Sequence, residues 1–167
     1  MKTKIALVTG SNKGIGKAIA DRLEQSGMVV VRNGLSVCPD PERPYVRGDV
    51  GTEWGRLEIA DSILTKYRQL DVLVNNAAHT ELIEHSNLSE LTEERFDRMY
   101  NVNLKGPFLL TSRLRSTLLQ SDSPNIINIA SVAGTTGNGS NIAYCALKAG
   151  LINMTKSLAR SLAPIRV

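Results

Sequence analysis

The stretch Ile5-Ala-Leu-Val-Thr-Gly-Ser-Asn-Lys-Gly-Ile-Gly16, IALVTGSNKGIG, decides the fold. Lys4–Thr9 carries the unbroken apolar run of a strand buried on both faces. From Gly14 to Ser26, the residues Ile15, Ala18, Ile19 and Leu23 recur at helical spacing, and Gly27 follows as a C-cap. Strand, glycine turn and helix in this order open a βαβ unit of a parallel sheet. Such a turn also aims backbone N–H groups and the positive end of a helix dipole at an anion such as a phosphate.

The alternation continues along the chain. Met28–Arg32 is predicted as a second strand and Asn33–Pro44, with three prolines, as a loop. Tyr45–Val50 reads as a third strand, Thr52–Gln69 as a helix and Asp71–Val74 as a fourth strand. Thr92–Gln120 is predicted helical with a bend near Gly106-Pro107. Asn125–Ala130 is a fifth strand, Asn141–Leu162 a further helix, and Ile165–Val167 the start of a sixth strand. The expectation is an α/β doubly wound parallel sheet, a Rossmann fold of three α/β/α layers, forming one domain over residues 1–167. Ligands of such sheets sit at the carboxyl ends of the strands.

Composition narrows the function classes. No apolar run approaches the roughly 18 residues of a membrane span. The N-terminal MKTKIALVTG has only Ile5–Val8 as its apolar core and leads into a glycine loop, so a cytoplasmic address is expected rather than a signal peptide. Cys38 and Cys145 have no metal-ligand spacing; free thiols and no metal are expected. The net charge of +4 comes from scattered basic residues without interleaved aromatics, which argues against nucleic acid and suits a phosphate-bearing cofactor.

The strand ends supply the candidate chemistry. Gly10, Asn12, Lys13, Gly14, Ile15 and Gly16 form the phosphate turn. An acid after the second strand would bind an adenosine 2′-hydroxyl and repel a 2′-phosphate. Here Arg32-Asn-Gly34 follows, with no acid before Asp40, and Lys13 adds a cation. Both favour NADP, with NAD as second choice, and Arg32→Asp is expected to shift preference toward NAD. Asp49-Val50 places a carboxylate near an adenine amino group, or else caps the next helix. Asn75-Asn-Ala-Ala78 offers amides that can tie strands, and small residues, Ala77 among them, that let a ligand approach Asn76. Tyr144 and Lys148 are i and i+4 neighbours on one helix face. A free phenol titrates at about 10, and an ammonium one turn away favours the phenolate. Tyr144 can then act as general acid or base, with Ser131 bonded to the same substrate oxygen.

Together TGSNKGIG at 9–16, DV at 49–50, NNAA at 75–78, NVNLKG at 101–106, INIASVAG at 127–134 and YCALK at 144–148 resemble the short-chain dehydrogenase/reductase family, single-domain type. The pattern is most similar to the 3-oxoacyl-carrier-protein reductases and the sugar and alcohol dehydrogenases built like them. The resemblance implies hydride transfer between a nicotinamide cofactor and a carbonyl or secondary alcohol. It assigns Tyr144 as acid/base, Lys148 to the nicotinamide ribose and Ser131 to the substrate oxygen. Asn103 would hold a water linking Lys148 to solvent, and Asp49, Val50 and Asn76 would lie near adenosine. It also implies a homodimer or homotetramer through the helices of Thr92–Gln120 and Asn141–Leu162. Thr136, Asn138 and Asn141 are candidate substrate-loop residues. Three departures stand out: Ala78 in place of glycine, a connection between the second and third strands that is short, proline-rich and without a helix, and 167 residues where members run to roughly 250. The chain is therefore expected to lack a C-terminal part. The alternatives are an NAD-dependent alcohol or sugar dehydrogenase, or a truncated nucleotide-binding or interaction protein without turnover.

Overall fold

A computed structural model describes residues 2–38 and 40–167. The strands are β1 (Ile5–Val8), β2 (Val29–Gly34), β3 (Tyr45–Arg47), β4 (Val72–Asn75) and β5 (Asn125–Asn128). They form one sheet in the order β3-β2-β1-β4-β5, and every pairing is parallel. The helices are α1 (Gly14–Gln25), α2 (Glu53–Leu64), α3 (Glu93–Tyr100), α4 (Gly106–Leu118), α5 (Ala133–Thr136) and α6 (Ile142–Ser161). The order reverses between β1 and β4, and such a switch opens a crevice at the carboxyl ends of the strands.

Apolar residues on both faces of the sheet explain its two covering layers. Ala6, Val8, Val30 and Val74 pack against Ala20, Ile19 and Leu23 of α1. Leu7, Val31 and Leu73 pack on the other side with Ile59 and Ile63 of α2 and Leu110, Leu114 and Leu118 of α4. α6 adds Ala143 and Leu147 against Met99 of α3.

Several boundaries depart from expectation. β2 continues through Asn33 and Gly34, because Asn33 pairs with Val46 and Gly34 with Arg47 in register. β3 stops at Arg47, short of Val50, and α2 ends at Leu64, short of Gln69. No helix joins β2 to β3 among the described residues, as the prolines require. The helix over Thr92–Gln120 is interrupted by a π-turn at Asn101–Lys105, just ahead of the expected bend at Gly106-Pro107. Such turns insert an extra residue per turn and occur often at functional sites. The segment after β5 contains the short α5, where an irregular loop was expected. Arg166 makes an isolated parallel bridge to Asn125, placing the chain beside β5 as the predicted sixth strand would lie. No helix among the described residues is long and apolar enough to cross a membrane.

Candidate active site and cofactor cleft

A cleft of about 780 Å³ opens at the carboxyl ends of β1, β2 and β4. Gly10, Asn12, Lys13, Gly14, Ile15 and Gly16 line it on one side, with Asp49, Val50, Asn76 and Ala77 across from them. The turn is braced from two strands. Asn33 Oδ1 accepts from the Gly10 N–H at 3.3 Å, and Asn76 Nδ2 donates to the Thr9 carbonyl at 2.9 Å. Gly16 must be glycine, since a Cβ there would run into the Asn76 amide and the Gly10 carbonyl.

Helix capping identifies what the cleft can hold. Thr52, Thr92 and Asn141 cap α2, α3 and α6 through their side chains. α1 begins at Gly14 after Lys13, which provides no side-chain cap, so the N–H groups of Gly14, Ile15 and Gly16 at the cleft have no acceptor among the described residues. An oxyanion fits there, and a dinucleotide pyrophosphate supplies one. The residues present therefore fit a nicotinamide dinucleotide.

Asp49 lines the cleft with both carboxylate oxygens engaged. Oδ1 accepts from the Gly51 N–H at 2.8 Å and Oδ2 pairs with Arg98 at 2.8 Å. It does not cap α2; Thr52 does, accepting from the Gly55 N–H at 3.1 Å. Arg98 carries no signal in the sequence. It comes from a distant helix with no local motif to mark it.

Arg32 needs correction. It is 6% exposed, does not line the cleft, and lies on the α1 side of β2. Its guanidinium bonds Glu24 at 2.9 Å through both Nε and Nη2, and Asp21 at 2.5 Å. Bonds from Lys17 and Arg32 hold the Asp21 carboxyl at about 2. Arg32 shares the parity of Val30, which packs under α1, so the period-2 pattern carried this signal. Arg32→Asp would set a third carboxylate beside Asp21 and Glu24. The expected outcome is a melting temperature lowered by at least about 5 °C with the NADP-to-NAD preference unchanged, read by thermal unfolding and paired cofactor titrations.

At the other end of the sheet, α6 carries Tyr144 and Lys148. Lys148 is 2% exposed. Its Nζ donates to the Ile129 carbonyl at 2.7 Å and lies 5.6 Å from the centre of the Tyr144 ring. Burial lowers its pKa to about 8. The half-buried Tyr144 makes no side-chain hydrogen bond to any described residue. Ser131, between β5 and α5, accepts from the Ala133 N–H at 3.2 Å. Gly134 then lets α5 lie directly on α6: a Cβ there would approach the Lys148 carbonyl carbon to 2.6 Å. Gly134→Ala is expected to destabilise the fold by about 1–3 kcal/mol by forcing α5 away from α6, seen as a lower melting temperature.

Asn103 sits in the π-turn, 1% exposed. Its Nδ2 donates to the His79 carbonyl at 2.7 Å and its Oδ1 accepts from the His79 N–H at 3.2 Å. The amide thereby straps the segment leaving β4 to the α3–α4 helix pair. Asn75 does the same between strands, donating to Asn128 Oδ1 at 2.8 Å. Asn141 is corrected as a substrate-loop candidate. It is 2% exposed, its Oδ1 caps the Tyr144 N–H at 2.9 Å, and its Nδ2 donates to the Glu81 carbonyl at 2.8 Å. Thr136 and Asn138 are exposed.

The short chain dehydrogenase family model matches residues 4–167. The 3-oxoacyl-[acyl-carrier-protein] reductase FabG of Thermotoga maritima is 34% identical over 175 residues, covering 98% of this chain and 70% of the reductase. Among solved structures, a short-chain dehydrogenase/reductase from Burkholderia xenovorans superimposes with a TM-score of 0.91 at 32% identity, covering 100% of this chain and 75% of that one. The aldohexose dehydrogenase of Thermoplasma acidophilum does so with a TM-score of 0.90 at 28% identity, covering 99% and 64%. The chain belongs to the short-chain dehydrogenase/reductase family of NAD(P)-dependent oxidoreductases acting on carbonyl and alcohol groups.

Proposed function

We propose that the protein reduces a carbonyl to a secondary alcohol with NADPH, using Tyr144 as general acid, and that residues 1–167 act as one dinucleotide-binding domain. The observation that carries this is the placement of Tyr144 one turn from the buried Lys148, on a helix packed against the Ser131 loop. When bound, the nicotinamide supplies the hydride. The chain does the rest. The uncapped first turn of α1 anchors the pyrophosphate, and Asn76 and Ala77 admit the ribose chain. Ser131 Oγ donates to the substrate oxygen and polarises it. Tyr144 Oη delivers the proton to that oxygen as the alcohol forms, and the Lys148 ammonium stabilises the phenolate left behind. Asn103, in the π-turn beside α6, serves the path that returns the proton from solvent.

The NADP preference rests on the cleft's adenosine rim. Gly34, Leu35 and Ser36 line it beside Lys13, with no carboxylate at the end of β2. The similarity to an aldohexose dehydrogenase favours a second reading, an NAD-dependent sugar or alcohol dehydrogenase of the same mechanism. Paired kinetics with NADPH and a 3-oxoacyl thioester, against NAD and aldohexoses, separate the two. A kcat/KM higher by at least about tenfold for the first pair is expected. Higher efficiency for the second pair would replace the reductase reading. Two free thiols, Cys38 and Cys145, suit a cytoplasmic setting. The exposed Phe96, Tyr100 and Phe108 on α3 and α4 support self-association into dimers or tetramers, which light scattering would detect as a mass of two or four chains.

A further inference from the structure

The connection from β2 to β3 holds no helix among the described residues, and β3 itself builds the rim of the adenosine end. Arg47 stands opposite Gly34 in register, at the carboxyl end of β2. Its Nε donates to the Leu35 carbonyl at 2.9 Å. Tyr45 Oη donates to the Ser36 carbonyl at 2.6 Å, and Asn12 Nδ2 donates to Ser36 Oγ at 2.8 Å and to Tyr45 Oη at 2.9 Å. The Leu35-Ser36 rim is thus pinned from the glycine turn on one side and from β3 on the other. A recess of about 460 Å³ adjoins the cleft here, sharing Leu35, Gly48 and Asp49 with it and adding Arg47 and Trp54.

The neighbouring arginines are committed. Arg32 pairs with Asp21 and Glu24, Arg43 with Asp21, Glu24 and Asp40, and Arg98 with Asp49. Arg47 and Lys13 pair with no carboxylate among the described residues. Glu58, which lines the same recess, lies outside ion-pairing distance of Arg47. Since Nε is used on the Leu35 carbonyl, the two terminal guanidinium nitrogens are left as a planar donor pair, the geometry that suits a phosphate.

We infer that Arg47 is the cofactor-selecting residue of this chain, its guanidinium binding the adenosine 2′-phosphate of NADP with Lys13 on the opposite side of the rim. The inference rests on the proposed NADP preference and assigns it to an edge strand rather than to Arg32. Trp54, the chain's one tryptophan, lines the recess, so energy transfer from it to bound NADPH or NADH reports binding without turnover. Arg47→Gln keeps an amide donor for the Leu35 carbonyl and removes the charge; Arg47→Lys keeps the charge and loses the fork. For Arg47→Gln the Kd for NADPH is expected to rise about 10–50-fold while that for NADH stays within about twofold, with Arg47→Lys in between. Equal losses for both cofactors would reduce Arg47 to a brace for Leu35, and unchanged NADPH binding would place the phosphate elsewhere; either result overturns the inference. If the unmodified protein bound NADH as tightly as NADPH, the NADP preference itself would fall, an outcome distinct from both.

Discussion

Tyr144→Phe is expected to lower NADPH-dependent carbonyl reduction by about 10²–10⁴-fold while changing the Kd for cofactor by less than about threefold. The substitution removes one oxygen and nothing else. That hydroxyl has no protein partner among the described residues, so its loss leaves no orphaned group, and the backbone cap from Asn141 to the Tyr144 N–H is untouched. The proposed cofactor anchor is remote from it: the glycine turn at Gly10–Gly16 follows β1, whereas Tyr144 stands on α6, which packs on β5. Single-turnover kinetics and a fluorescence titration on the same sample separate the two effects. Near-normal turnover would take Tyr144 out of the proton transfer, and loss of cofactor binding in equal measure would make it a structural residue.

The second large effect concerns Lys148, where function and stability should oppose each other. Burial lowers its pKa to about 8, from 10.5 in the unfolded chain. Below pH 8 both states are protonated, and the folded protein bears the full cost of a buried ammonium. Between pH 8 and 10.5 the unfolded chain binds more protons than the folded one, so stability rises with pH across that window. The shift corresponds to about 3 kcal/mol. Lys148→Met removes the charge but leaves the Ile129 carbonyl without its donor. After about 1–3 kcal/mol for the unpartnered carbonyl, a net gain of about 0–2 kcal/mol at neutral pH is expected, together with disappearance of the stability rise between pH 8 and 10.5. Activity should fall by at least about 100-fold. Denaturant unfolding across pH checks the first statement. A destabilised Lys148→Met protein would show that the ammonium is compensated in the folded state.

Much of this was legible in the sequence because the signals were local and redundant. IALVTGSNKGIG combines a buried strand, a turn requiring glycine and the start of an amphipathic helix within twelve residues. Tyr144 and Lys148 lie in the interior of α6, where i,i+4 spacing fixes a shared face. Asn75 and Asn76 were open to a tying role, and both bond across strands. What escaped depends on partners far away in sequence. Arg32 reads as a strand-end cation only while the strand is bounded by its β-branched run; the pairing of Asn33 and Gly34 with β3 moves the end of β2 to Gly34. Sequence alone leaves Asp49 open between adenine and a helix cap, because its partner Arg98 arrives from α3, 49 positions later, with no local pattern to announce it. Asn141 read as loop polarity, yet its burial under the segment after β4 turns it into the cap that orients Tyr144. The π-turn at Asn101–Lys105 is likewise a tertiary feature, formed where the α3–α4 pair meets α6.

The most direct test is to mix the protein with NADPH and a 3-oxoacyl thioester, follow nicotinamide absorbance, and quantify the alcohol formed. The expected result is loss of NADPH matched one for one by 3-hydroxyacyl product, abolished by Tyr144→Phe. Tight NADPH binding with no oxidation, repeated with NADH and with simple ketones, would contradict it.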